Sequence, residues 1–172
     1  MKKGQRQVTI ALMRNEIEYD AQSILSVIAD TLPGEETAHV KHIYNDICEG
    51  ENARRTIRFA DTAFAVLAEH LHGYTATPIG GDITTDDIAH TPDVYTLAMQ
   101  MDGDTLSSQV ALVKTLAHDY VVLAIVCGWL AIIGSDRLDY YAAMRDTALA
   151  DAVKAADSHN RIGRVTPFFG NT

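Results

Sequence analysis

The stretch "VVLAIVCGWLAII", residues 121–133, decides the fold. Its thirteen consecutive positions are all apolar or small. A helix that is apolar all round must be covered on every side, by lipid or by protein. Crossing a bilayer takes roughly 20 such residues. Extension backwards meets Asp119, His118 and Lys114, and extension forwards meets Gly134, Asp136 and Arg137. The segment therefore reads as the central helix of a soluble bundle, and no membrane partner is expected.

The flanks supply the rest of the bundle. Ser107 or Ser108 is expected to cap the start of this fourth helix. "GSD" turns the chain into a fifth helix over about 136–157, with Leu138, Tyr141, Ala142, Ala148, Leu149, Ala152, Val153 and Ala156 on one face. Upstream, "VYTLAMQM", 94–101, alternates, with Tyr95, Leu97, Met99 and Met101 on one side, which is a strand pattern. Its partner is expected from "YTATPI", 74–79, as a hairpin, or from another chain by strand addition.

Earlier still, three segments carry helical spacing. The first runs over 10–31 with Ile17, Ala21, Ile24, Leu25 and Ile28, and "LPGEE" stops it. The second covers about 35–48 with Val40, Ile43, Tyr44 and Ile47. The third covers about 51–72 with Ile57, Ala60, Phe64, Leu67 and Leu71, and Gly73 suits its C-terminal cap. Residues 1–8 read as a basic N-terminal arm, 73–93 as a long acidic loop and 158–172 as an extended C-terminal tail. The expected fold is mainly α: one domain, a five-helix bundle with a β-hairpin or single strand before the long central helix.

Composition bounds the function. The chain has 172 residues and a formal net charge of −9, which argues against a general nucleic-acid binder, and no sequence-specific nucleic-acid partner is expected. "MKKGQRQ" is not followed by an apolar signal segment, so no secretion is expected. Cys48 and Cys127 match no metal spacing and read as reduced thiols.

One chemical pattern does stand out. "EHLH", 69–72, and "ETAH", 36–39, each hold Glu-x-x-His, and two such pairs make half of a ferritin-like di-metal site. At about 100° per residue, Glu69 falls roughly 150° from the centre of its helix's apolar stripe and His72 about 90°. The pair points outward, whereas a ferritin-like site points inward. The fifth helix has no glutamate to complete the set. His39, His42 and Asp46 share one helix face and suit at most a stray divalent ion. His70 and His72 suit the negative end of a helix. There is no Gly-x-Ser-x-Gly elbow and no phosphate loop, since "GDITTDD" lacks the lysine. No catalytic residue, metal or cofactor is expected.

The second half also carries a resemblance. It has a strand ending in Met, a polar turn, the long helix with a late Trp, a helix opening on paired tyrosines in "DRLDYYAAMRD", and the basic "RIGRV". This layout resembles small helical virion proteins of tailed phages and prophages, notably of Bacteroides-type bacteria. More loosely it resembles the head–tail connector (adaptor) class, whose bundles form a ring between portal and tail. The resemblance implies a structural particle protein, made in the bacterial host cytoplasm and carried in the virion. It would act by assembly with copies of itself and with portal or tail components. Arg161, Arg164, Phe168 and Phe169 are the expected subunit contacts, followed by Arg54, Arg55 and Arg58 as an electrostatic contact. The alternatives are a ferritin-like metal-binding protein or a cytoplasmic helical adaptor or regulator.

Overall fold

The computed structural model describes residues 5–32, 38–71 and 92–157. In chain order these form strand β1 (Gln5–Met13), helix α1 (Arg14–Asp30), helix α2 (Ala38–Asn45) leading into a 3-10 turn (Asp46–Cys48), helix α3 (Gly50–His70), strand β2 (Val94–Asp102), helix α4 (Ser107–Ile133) and helix α5 (Leu138–Asp157). The protein is mainly helical, with five helices and a two-stranded antiparallel sheet among the described residues.

Helix α4 is the axis. It is 27 residues long, with Val113, Ala117, Val121, Ile125, Val126 and Leu130 fully buried. By length and composition it could cross a membrane, and 56% of its most apolar window is buried inside the protein. The apolar helix is thus longer than the run 121–133, because Val110, Val113, Leu116 and Ala117 continue its apolar surface past Lys114. Helices α5, α3 and α1 surround it, together with β1. Gly128 lets α3 come close, since a Cβ there would lie 2.9 Å from the Phe59 ring. Gly134, at φ +66, ends α4 in the left-handed conformation, and the Ser135 N–H donates to the Leu130 carbonyl. The expected serine cap at the other end is not formed. Leu106 holds the capping position without a side-chain bond, and its carbonyl accepts the Gln109 and Val110 N–H groups.

The N-terminal segment corrects two expectations. Residues 5–13 form a strand, so the first helix begins at Arg14 rather than near residue 10. They are also the partner of β2, in the register Val8↔Met99, Ile10↔Leu97 and Leu12↔Tyr95. The reason is period-two alternation. Ile10 and Leu12 are buried beside Tyr95, Leu97, Met99 and Met101, while Thr9, Ala11 and Met13 face outward. The strand-to-helix corner is held by Arg14, whose N–H donates to the Asp93 carbonyl at 3.0 Å and whose Nη2 donates to Asp93 Oδ1 at 2.6 Å. The basic arm over 1–8 is therefore strand from Gln5 onward. Residues 74–79, the acidic loop 73–91, Gly73 and the tail 158–172 lie outside the described residues.

Polar contacts tie helix α2 and its turn to the bundle, among them Ser26 Oγ with Asn45 Oδ1 at 2.8 Å. The Trp129 Nε1–H donates to the Ile43 carbonyl at 3.1 Å, and the Tyr44 hydroxyl donates to Ser135 Oγ at 3.2 Å. The buried Thr56 hydroxyl donates to the Ile47 carbonyl at 2.7 Å.

Candidate functional site

A concavity lies between α1, α4 and α5. Its origin is the small-residue face of α5. Ala148, Ala152, Ala155 and Ala156 are buried and let α5 seat closely on α4. The neighbouring stripe of α5, Tyr140, Met144, Thr147 and Asp151, recurs at helical spacing and lines the groove together with Ala148. Ile24 of α1 and Leu116 and Leu123 of α4 form the opposite walls, around a volume of about 540 Å³. A second hollow of about 350 Å³, lined by Leu112, Leu116, Asp151, Lys154 and Ala155, shares Leu116 and Asp151 with the first. The two make one trough running towards the end of α5.

The trough is apolar with a sparse acidic element. Tyr140 is 65% exposed, Leu112 50% and Met144 42%, so apolar side chains line it in the open. Tyr140 stands edge-on to Tyr141 with ring centroids 5.2 Å apart. Asp119 and Asp151 are the carboxylates lining it. Burial raises the Asp119 pKa, with the neighbouring His118 opposing that shift.

A smaller polar hollow of about 200 Å³ lies beside β1, lined by residues including Glu16, Lys114, Thr115 and His118. His118 Nε2 sits 2.9 Å from Asp20 Oδ2 and joins α4 to α1. The Thr115 hydroxyl donates to the Ala111 carbonyl, so its proton is aimed along its own helix. The His118–Asp20 pair reads as a link between helices.

The residues singled out in the sequence fall elsewhere. Arg54, Arg55 and Arg58 lie on the first turns of α3, which does not line the trough. Arg161, Arg164, Phe168 and Phe169 lie outside the described residues. Glu69 is exposed, in keeping with its outward angle, while Glu36, His72 and the His39 side chain lie outside the description. His42 Nδ1 is 2.7 Å from Asp46 Oδ1, and the hydrogen bond and charge of Asp46 raise the His42 pKa. His70 Nδ1 is 2.9 Å from the Val66 carbonyl, in the last turn of α3. Among the described residues no three His, Cys, Asp or Glu side chains come together as a metal site. The trough itself is not legible in the sequence, because it needs the packing of three helices. Tyr140 and Met144, four apart and off the α5 core stripe, are the one sequence signal that marks it.

The Cys48 thiol is half-buried, with Sγ 3.8 Å from the Glu18 carbonyl oxygen. Burial, aided by the Glu18 charge, pushes its pKa from 9.0 up to about 11. Alkylation of Cys48 at pH 8 is therefore expected to run about 100-fold slower in the folded protein than in urea, from thiolate fraction alone. Peptide mapping after timed iodoacetamide treatment checks this, and equal rates in the two states would refute it. The unfolded thiol ionises first, so the contribution of Cys48 to stability is intact below pH 9.0 and is lost as pH rises towards about 11.

No family model, curated protein or solved structure matches this chain.

Proposed function

We propose that this chain is a structural protein of a tailed phage or prophage particle, at the head–tail junction, acting by assembly with copies of itself and with portal or tail components. The observation that carries the assembly part is the open apolar trough with Tyr140, Met144 and Leu112 exposed along it. Exposed apolar surface of this kind favours a protein partner. A small-molecule pocket would enclose its ligand and converge several polar groups on it. The position in a particle rests on the layout of the second half, from the strand ending in Met101 to the basic "RIGRV". In this reading Arg161, Arg164, Phe168 and Phe169 hold neighbouring subunits. Arg54, Arg55 and Arg58 meet acidic surface, which a chain of net charge −9 supplies.

Light scattering on a sizing column tests the reading. A single species on the order of ten subunits is expected, as for a closed ring, and deletion of residues 159–172 is expected to reduce it to smaller forms. A wild-type monomer that also fails to join a portal or tail component would replace this reading with that of a helical adaptor for an unrelated partner.

A further inference from the structure

We propose that the α1–α4–α5 trough is the docking site for the chain's own C-terminal segment, residues 158–172, seated within the same subunit before assembly. The proposal adds an occupant and a resting state to the surface used in the assembly reading, and it stands or falls separately from the phage assignment.

Chemistry selects this occupant. The trough is apolar and carries Asp119 and Asp151, with Lys154 at its near end. The segment "SHNRIGRVTPFFGNT" has Arg161 and Arg164, no acidic residue, and Ile162, Val165, Phe168 and Phe169 to bury. It is thus a basic, apolar stretch in a chain whose net charge is −9. A second copy packing the same face would bring Lys154 as the one trough-lining cation among the described residues, whereas the segment brings two arginines and no carboxylate side chain.

Geometry permits it. The described part of helix α5 runs to Asp157, less than one turn beyond Lys154 and Ala155, which line the near end of the trough. From there Met144 lies about 20 Å back along the helix, at 1.5 Å per residue. The stretch from Ser158 to Phe168 spans up to about 36 Å when extended, which leaves slack for the reversal. Tethering also favours the same-chain site, because a short linker holds its end at an effective concentration on the order of millimolar. Free copies in a dilute solution are far scarcer. Assembly would then exchange the segment from its own trough to that of a neighbour, and the trough stays covered until a neighbour offers the same contact.

The test uses the full chain with a photoreactive benzoylphenylalanine in place of Phe168. Equal parts of isotopically heavy and light protein are mixed, diluted until light scattering shows no ring, irradiated in that unassembled state and mapped by mass spectrometry. The expected product links residue 168 to peptides spanning 112–123 or 140–151, with both ends carrying the same isotope label. Met144→Glu is expected to cut that product severalfold. Met144 is 42% exposed, so the fold tolerates the change, which circular dichroism verifies. Heavy-to-light links at the trough would overturn docking within one subunit. Links elsewhere, or none, would overturn the trough as the site. Light scattering before dilution reads assembly independently: a same-chain link in a protein that never assembles keeps this proposal and removes the assembly reading.

Discussion

Trp129→Ala is expected to lower the free energy of unfolding by about 3–5 kcal/mol, the range for emptying a buried aromatic site. Trp129 is 3% exposed and lies in the last two turns of α4. Its ring belongs to the central core, and its Nε1–H donates to the Ile43 carbonyl at 3.1 Å, so one side chain both packs α4 and anchors α2. The two roles can be separated. Trp129→Phe keeps most of the ring and leaves the Ile43 carbonyl without this donor, which costs about 1–3 kcal/mol if water cannot replace it. Urea unfolding followed by far-UV circular dichroism measures both, since the chain has no other Trp to report by fluorescence. Losses below about 1 kcal/mol for Trp129→Ala would mean that α2 docks without it.

What the sequence makes legible follows from the strength of each local pattern. Helix α4 is readable because a continuous apolar run bounded by charges has few other solutions. The α1 stripe of Ile17, Ala21, Leu25 and Ile28 is readable at helical spacing, and all four are buried. Strand β1 escapes the sequence reading because Ile10 also suits a helical extension of that stripe, though Leu12 does not, and because "KKGQRQ" looks like a charged arm. The distinguishing sign is the alternation Val8, Ile10, Leu12, which decides only once β2 is known to need a partner. The α5 face is read from its alanines, several of which are buried, but alanines do not announce how closely a helix will approach. That distance is what leaves Tyr140 and Met144 beside a trough. The candidate site is therefore a product of packing, whereas the Glu-x-x-His pairs are a product of spacing alone. Spacing places Glu69 outward, and exposure agrees, but it cannot bring two helices' ligands together.

The strand reading of residues 5–13 has the sharpest consequence. Leu12→Asp is expected to destabilise the protein by more than about 4 kcal/mol, against a total stability of roughly 5–15 kcal/mol for a domain. Leu12 is 3% exposed and pairs with Tyr95 on the core face of the sheet. A carboxylate there is buried without a partner, and removal of the leucine also empties a core site. Ala11→Asp, one residue away on the outward face, is expected to stay within about 0.5 kcal/mol of wild type. Because successive strand residues face opposite sides, the contrast between neighbours tests the register itself. A free basic arm would make both changes neutral, and a helix over these residues would not give this alternation. The pH dependence supplies a further check. The carboxyl introduced by Leu12→Asp would have a pKa raised by burial, so the penalty is largest at neutral pH and shrinks as pH falls and the group stays neutral. Urea midpoints for the two variants at about pH 7 and pH 4.5, on either side of such a raised pKa, measure this. Equal midpoints for Leu12→Asp and Ala11→Asp at neutral pH would remove β1 from the core, and with it the account of what covers Tyr95, Leu97 and Met99.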